Sequence, residues 1–278
     1  MQSYDHRMGV LLNKHRIRIF YRSWTVENPV GLVFLCHGLG EHSGRYSHLI
    51  QTLRGRGISF YALDHKGHGK SGGKRGHTDT FMDYCDDIHQ YITTLIRPDV
   101  PDLPMILLGH SMGGAVAFAS ALRLQHMLRG LVLSAPALAM DQPVPRLQEM
   151  FVRLLSVVAP GTGALALPPD AVSRDPSVVA RYAADPLVHH KAIPARTLVE
   201  LLRAMQGFPA SAPGLRLPTL VLHGTADQLV PLAANRQVYQ TFGTRDCVVK
   251  LYDGLYHEVF NEPERARVTA DLLRWLER

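Results

Sequence analysis

Two kinds of apolar pattern run along the chain. Residues 8–12 and 17–24 alternate apolar and polar side chains on either side of Asn13 and Lys14, which predicts an antiparallel hairpin. Beyond it the apolar runs are short and nearly continuous, at 31–36, 58–63, 105–108, 131–133, 219–222 and 248–251. Such runs predict strands covered on both faces. Between them the period becomes that of a helix. Phe81, Cys85, Ile88, Ile92, Leu95 and Ile96 line one helical face, and Val268, Leu272, Leu273 and Leu276 line another behind Pro263, a residue suited to a first turn. Strands alternating with helices predict the α/β class, with a mostly parallel central sheet and helices on both faces.

One stretch breaks the alternation. Residues 137–217 show no convincing strand, are rich in Pro, Ala and Leu, and carry two helical stripes. The first holds Leu147, Met150, Phe151, Leu154, Leu155 and Val158, with Val152 and Val157 widening its apolar face; the second holds Leu198, Leu201, Leu202 and Met205. The expected organisation is a core of residues 1–136 and 218–278 with a helical cap, 137–217, inserted in it. Ligands of open α/β sheets bind outside the carboxyl ends of the strands, so an insertion leaving from such an end is expected to lie over the site.

Composition narrows the classes. A chain of 278 residues that is 46% hydrophobic buries a sizeable core, which excludes a disordered protein. No apolar run is long enough to span a bilayer, and residues 1–9 lack the apolar stretch of a secretory signal, so a cytoplasmic protein with at most peripheral membrane contact is expected. The net charge of +6 comes from scattered Lys and Arg without a dense basic run, which argues against a nucleic-acid partner. Cys36, Cys85 and Cys247 are odd in number and widely spaced, indicating neither a disulfide framework nor a zinc site.

The chemistry enters at residues 109–113, Gly-His-Ser-Met-Gly. This is G-x-S-x-G between an apolar strand and a small-residue helix, the setting of a nucleophile elbow in an α/β-hydrolase fold. Ser111 is the candidate nucleophile. Serine needs a base that titrates near neutrality and a carboxylate to orient that base, and in this fold they follow in the order Ser, acid, His. Asp227 lies just past the strand 219–222 and His257 just past the strand 248–251, both on the sheet edge that carries Ser111. Asp253 is a rival acid, but it leaves the same strand as His257 and would have to fold back on it. Among 15 histidines, His223 at a strand tip reads as structural. The developing oxyanion needs preorganised donors. The N–H of Met112 supplies one, and the loop His37-Gly38-Leu39-Gly40 supplies the other through Leu39 N–H, with His37 itself holding the loop. No step in this chemistry requires a metal.

The segments 38–46 (GLGEHSGRY), 62–69 (ALDHKGHG), 108–114 (LGHSMGG), 173–175 (SRD), 182–187 (YAADPL) and 255–258 (LYHE) together resemble the monoacylglycerol lipase family of the α/β-hydrolase superfamily, bacterial members included. The resemblance runs from about residue 16 to the C-terminus and includes the cap. It implies hydrolysis of monoacylglycerols to glycerol and fatty acid without a cofactor, beneath an apolar cap that touches the membrane peripherally. It also implies that Glu41, Arg45 and Tyr182 bind the glycerol head, while Glu41 and Arg45 equally read as an ion pair that holds the oxyanion loop. A broader carboxylesterase, a lysophospholipase, a peptidase or a non-catalytic binding protein on the same scaffold are the alternatives.

Overall fold

A computed structural model describes residues 4–141 and 146–278; residues 1–3 of the predicted polar N-terminus and 142–145 of the predicted cap lie outside the described residues. The chain opens with the hairpin β1 (Asp5–Leu12) and β2 (Arg18–Thr25). Its turn is tied by Asn13, whose Oδ1 accepts the N–H groups of His15 and Ile17. There follow β3 (Gly31–Cys36), α1 (Ser47–Thr52), β4 (Ile58–Leu63), α2 (Met82–Tyr91), β5 (Met105–His110), α3 (Met112–Leu124) and β6 (Gly130–Ser134). The next segment carries α4 (Arg146–Val158), β7 (Gly163–Leu165), α5 (Pro176–Ala184), β8 (Ile193–Pro194) and α6 (Ala195–Ser211). The chain closes with β9 (Thr219–Gly224), α7 (Leu232–Tyr239), β10 (Cys247–Tyr252) and α8 (Arg265–Leu276).

The main sheet has the order β1-β2-β4-β3-β5-β6-β9-β10. All pairings from β4 to β10 are parallel; β1 with β2 and β2 with β4 are antiparallel. Neighbouring strand residues face opposite layers, and here both layers are dry. Phe34, Leu107 and Leu133 pack with Phe118 and Tyr91 on one side, whereas Val33, Leu35, Leu108 and Val132 pack with Ile50 and Leu272 on the other. The continuous apolar runs follow from this two-sided burial. The chain has the α/β-hydrolase fold.

The inserted segment departs from the sequence reading in two places. It does contain strand, since β7 and β8 form a two-stranded antiparallel ladder, five residues in all and too short to show a period. It also holds α5, a third helix, which starts as helices do: Asp175 caps the N–H of Ser177, and Pro176 takes the first position. Two further boundaries move. α2 ends at Tyr91 and passes into a π-turn over Ile92–Ile96. α8 begins at Arg265, two residues after Pro263.

Candidate active site

Ser111 stands between the end of β5 and the start of α3 at φ 55° and ψ −122°, a left-handed conformation that costs a side-chain-bearing residue about 1–3 kcal/mol. Its surroundings hold it there. Ser111 N–H donates to Ser134 O, and Ser111 O accepts from Gly114, Ala115 and Ala137 N–H. The two glycines of the motif are required by close packing: a Cβ at Gly109 would collide with Gly113 O, and one at Gly113 with the carbonyls of Cys36 and His37. Met112 N–H lies at the N-terminus of α3, where backbone donors and the helix dipole favour negative charge.

Asp227 and His257 meet across the β9 and β10 loops, with His257 Nδ1 2.7 Å from Asp227 Oδ2. Asp227 Oδ1 accepts the N–H groups of Leu229 and Val230, which fixes the carboxylate in the loop. Burial would raise its pKa, but His257, His223 and these N–H groups outweigh burial and hold it well below the usual carboxylate range. His257 is raised: burial disfavours its charge, yet Asp227 first and then Glu258 and Glu41 favour it more strongly. Asp253 sits elsewhere, exposed and accepting from Thr225 Oγ1. His223 is fully buried, bridging Tyr239 OH and Val230 O, with Nε2 3.3 Å from Asp227 Oδ2. These contacts tie it into the core, and the one to Asp227 is a contact the sequence reading did not foresee.

The loop after β3 comes directly against Ser111, since a Cβ on Gly38 would lie 3.3 Å from Ser111 Cβ. Its peptide planes are gripped from both sides. Gly38 N–H donates to Glu41 Oε1 at 2.5 Å. His37 Nε2 accepts the N–H of His65 at 2.9 Å, which leaves the proton on Nδ1, and Nδ1 donates to Gly38 O at 2.8 Å. The peptide is trans, so fixing Gly38 O on His37 turns Leu39 N–H the opposite way. Burial keeps His37 neutral by lowering its pKa, and that preserves this tautomer.

Behind the loop lies an ion network. Arg45 Nη1 bonds Glu41 Oε2 at 2.7 Å, and its fork bonds both oxygens of Glu258. Tyr46 OH donates to Glu41 Oε1 at 2.6 Å, and the Arg45 guanidinium lies 4.7 Å from the Tyr182 ring centre. Burial opposes the charge on Glu41, but Arg45, helped by the hydrogen bond from Tyr46, outweighs it and keeps the carboxyl ionised. The segment 64–71, which could pass for a metal cluster, is loop architecture: Asp64 accepts from Ser43 and Lys70 N–H, and Lys66 pairs with Asp79 and Asp83. Glu258 and Tyr46 are the partners that sequence reasoning missed; both sat inside quoted motifs, but nothing local told what they touch.

Gly38, Leu39, Ser111, Met112 and His257 open into one cavity of about 620 Å³. Glu41, Tyr182 and Glu258 border it, and the rest of its lining is mostly apolar, with Val152 of α4 and Leu198, Leu202 and Met205 of α6, beside Glu149, Arg153 and Arg203.

A family profile described as "Serine aminopeptidase, S33" matches residues 27–264. The monoacylglycerol lipase of Mycolicibacterium smegmatis is 42% identical over 94% of this chain and 93% of its own. The chain belongs to the monoacylglycerol lipase family of α/β-hydrolases. The monoglyceride lipase of Rattus norvegicus is 33% identical over 91% of the chain and 84% of its own. The crystal structure of the Paleococcus ferrophilus monoacylglycerol lipase superposes with a TM-score of 0.83 at 33% identity, covering 93% of this chain and 98% of the other. Membership in this family makes the chain a serine hydrolase of carboxylic esters.

Proposed function

We propose that the chain hydrolyses monoacylglycerols to glycerol and fatty acid through an acyl-enzyme on Ser111. The observation that carries this reading is the lining of the cavity: a serine on a strained elbow and a histidine paired with an aspartate share a mostly apolar chamber with a buried carboxylate, Glu41. In the first half-reaction His257 Nε2 takes the Ser111 proton as Oγ attacks the ester carbonyl, and Asp227 steadies the imidazolium that results. The oxyanion is received by Leu39 and Met112 N–H, donors that together contribute a few kcal/mol. His257 then protonates the leaving glycerol oxygen, and water repeats the sequence to release the acid. The acyl chain lies along Val152, Leu198, Leu202 and Met205, with residues 137–217 acting as the cap.

Glu41, Arg45 and Tyr182 form the polar end that takes the glycerol head. Gly38 N–H, Tyr46 OH and Arg45 occupy three of the roughly four acceptor positions of a carboxylate, leaving Glu41 about one for a glycerol hydroxyl. Both sequence readings of this pair are thus compatible: it holds the loop and it offers a site. The outer face of α4 supports membrane contact, since Leu147, Met150, Phe151, Leu154, Val157 and Val158 are 58–75% exposed. Among the described residues no helix is long and apolar enough to cross a membrane. A cytoplasmic enzyme working at a lipid surface fits both features and the free thiols.

The test compares specificity constants for a monoacylglycerol, the matching triacylglycerol and an aryl ester, in wild type and Glu41→Ala. A lost buried hydrogen-bond partner costs about 1–3 kcal/mol, so monoacylglycerol should be preferred over triacylglycerol by roughly ten- to several-hundredfold. Glu41→Ala should narrow that ratio mainly by slowing the monoacylglycerol reaction. Equal rates on mono- and triacylglycerol would sink the reading, and equal slowing of all three substrates would leave Glu41 only its loop-holding role.

A further inference from the structure

Glu258 follows the proposed base directly, and the triad chemistry does not call on it. Its side chain is nonetheless buried and bonded on every side. Oε1 accepts from Arg45 Nη1 at 2.5 Å, and Oε2 accepts from Arg45 Nη2 at 2.8 Å and from Asn261 Nδ2 at 2.6 Å. Its backbone N–H donates to Val172 O in the inserted segment at 2.8 Å. Through Arg45 the contact continues to Glu41, and from Glu41 to the N–H of Gly38. One ion network therefore joins the loop that presents His257 to the loop that presents Leu39 N–H.

We propose that Glu258 is a positioning residue of the ester-cleavage reaction: its bidentate hold on Arg45 keeps the general base in register with the oxyanion loop and leaves one net negative charge beside the imidazole. The inference rests on the reading of His257 as base and of Leu39 N–H as oxyanion donor. A carboxylate and a guanidinium paired fork to fork fix both planes as well as the distance, which a single point contact cannot do. The charges add in the useful direction. Glu41 and Glu258 are anionic and Arg45 is cationic, so the trio sums to one negative charge next to a ring that becomes positive during attack on the ester. Glu258 is among the groups that favour the charged form of His257, after Asp227. Losing its charge while keeping its shape should slow chemistry and make the imidazole easier to deprotonate.

The experiment is steady-state hydrolysis of a p-nitrophenyl ester, which lacks a glycerol head, across roughly pH 5 to 9. Wild type is compared with Glu258→Gln, Glu258→Asp, Arg45→Lys and His257→Ala. Glu258→Gln should lower kcat on the order of 30- to 300-fold, keep KM within about threefold, and move the acid limb of kcat/KM to lower pH by at least about half a unit. Glu258→Asp should return the acid limb to its wild-type position. Arg45→Lys keeps every charge but loses the fork, so kcat should fall at least about tenfold with the acid limb unmoved. Wild-type kcat in Glu258→Gln overturns the proposal, and so does a lowered kcat with an unmoved acid limb, the behaviour of a residue that only supports the fold. Should Glu258→Gln fail to fold, wild-type kcat in Arg45→Lys overturns it instead. An active His257→Ala would remove the base assignment itself; an inert His257→Ala beside a wild-type-like Glu258→Gln would remove only the role of Glu258.

Discussion

Ser111 is an ordinary hydroxyl placed at an uncommon backbone angle, and His257 is an ordinary imidazole between a depressed carboxylate and an ion network. The direction of the His257 shift gives a pH dependence. Asp227 favours the protonated ring, so the base is free only above the usual histidine value, and the acid limb of kcat/KM should lie above about pH 6.5. Asp227→Asn removes that attraction while burial remains, so the limb should move to lower pH as kcat drops by roughly 10³- to 10⁴-fold. Retained activity in Asp227→Asn together with its loss in Asp253→Asn would show that the acid has been misassigned. At this scale the pairing of Asp227 with His257 was legible in the sequence because each lies in the loop that follows a recognisable strand, as Ser111 does after β5. Of the ion network only the Glu41–Arg45 pair was legible; Arg45 and Glu258 are 213 positions apart, and no local pattern pairs them.

Elements tell a similar story of what periodicity can carry. β3, β4, β5, β6 and β9 were legible because both faces are dry, so nearly every position is apolar; β10, at the sheet edge and half-buried, keeps an apolar run broken only by Lys250. β7, β8 and α5 were not, being too short to display a period. The cap helix α4 shows why its two uses could not be separated from the sequence: its apolar residues divide between the cavity, where Val152 points, and the outside, where Phe151 and Leu154 are exposed. Replacing Met150, Phe151 and Leu154 together with Gln should therefore leave hydrolysis of a water-soluble aryl ester within about twofold of wild type. Binding to phosphatidylcholine vesicles should weaken at least about tenfold, since each such side chain contributes up to about 1.5–3 kcal/mol when fully buried. Cosedimentation reads the second effect, and unchanged vesicle binding would assign the outer face of α4 to something other than lipid.

Among the described residues an eight-stranded sheet carries three loops at one edge, and a largely helical segment between β6 and β9 supplies further walls of the cavity they share. Cross-links between the two include Glu258 N–H to Val172 O, His189 N–H to Gly40 O, and His42 to Asp185 at 2.9 Å, with others farther off, such as Thr78 N–H to Thr197 Oγ1 and Arg174 to Glu262. The contacts of Gly40 and Glu258 therefore tie the loops that carry Leu39 and His257 to the segment that supplies cavity walls. The central claim is that one serine at the bottom of this cavity cleaves monoacylglycerol. The most direct test is release of glycerol and fatty acid from 1-monooleoylglycerol by wild type and by a folded Ser111→Ala variant. The account predicts one fatty acid per glycerol from wild type and a loss on the order of 10⁴- to 10⁶-fold in the variant. Turnover by Ser111→Ala at more than about a hundredth of the wild-type rate would contradict it.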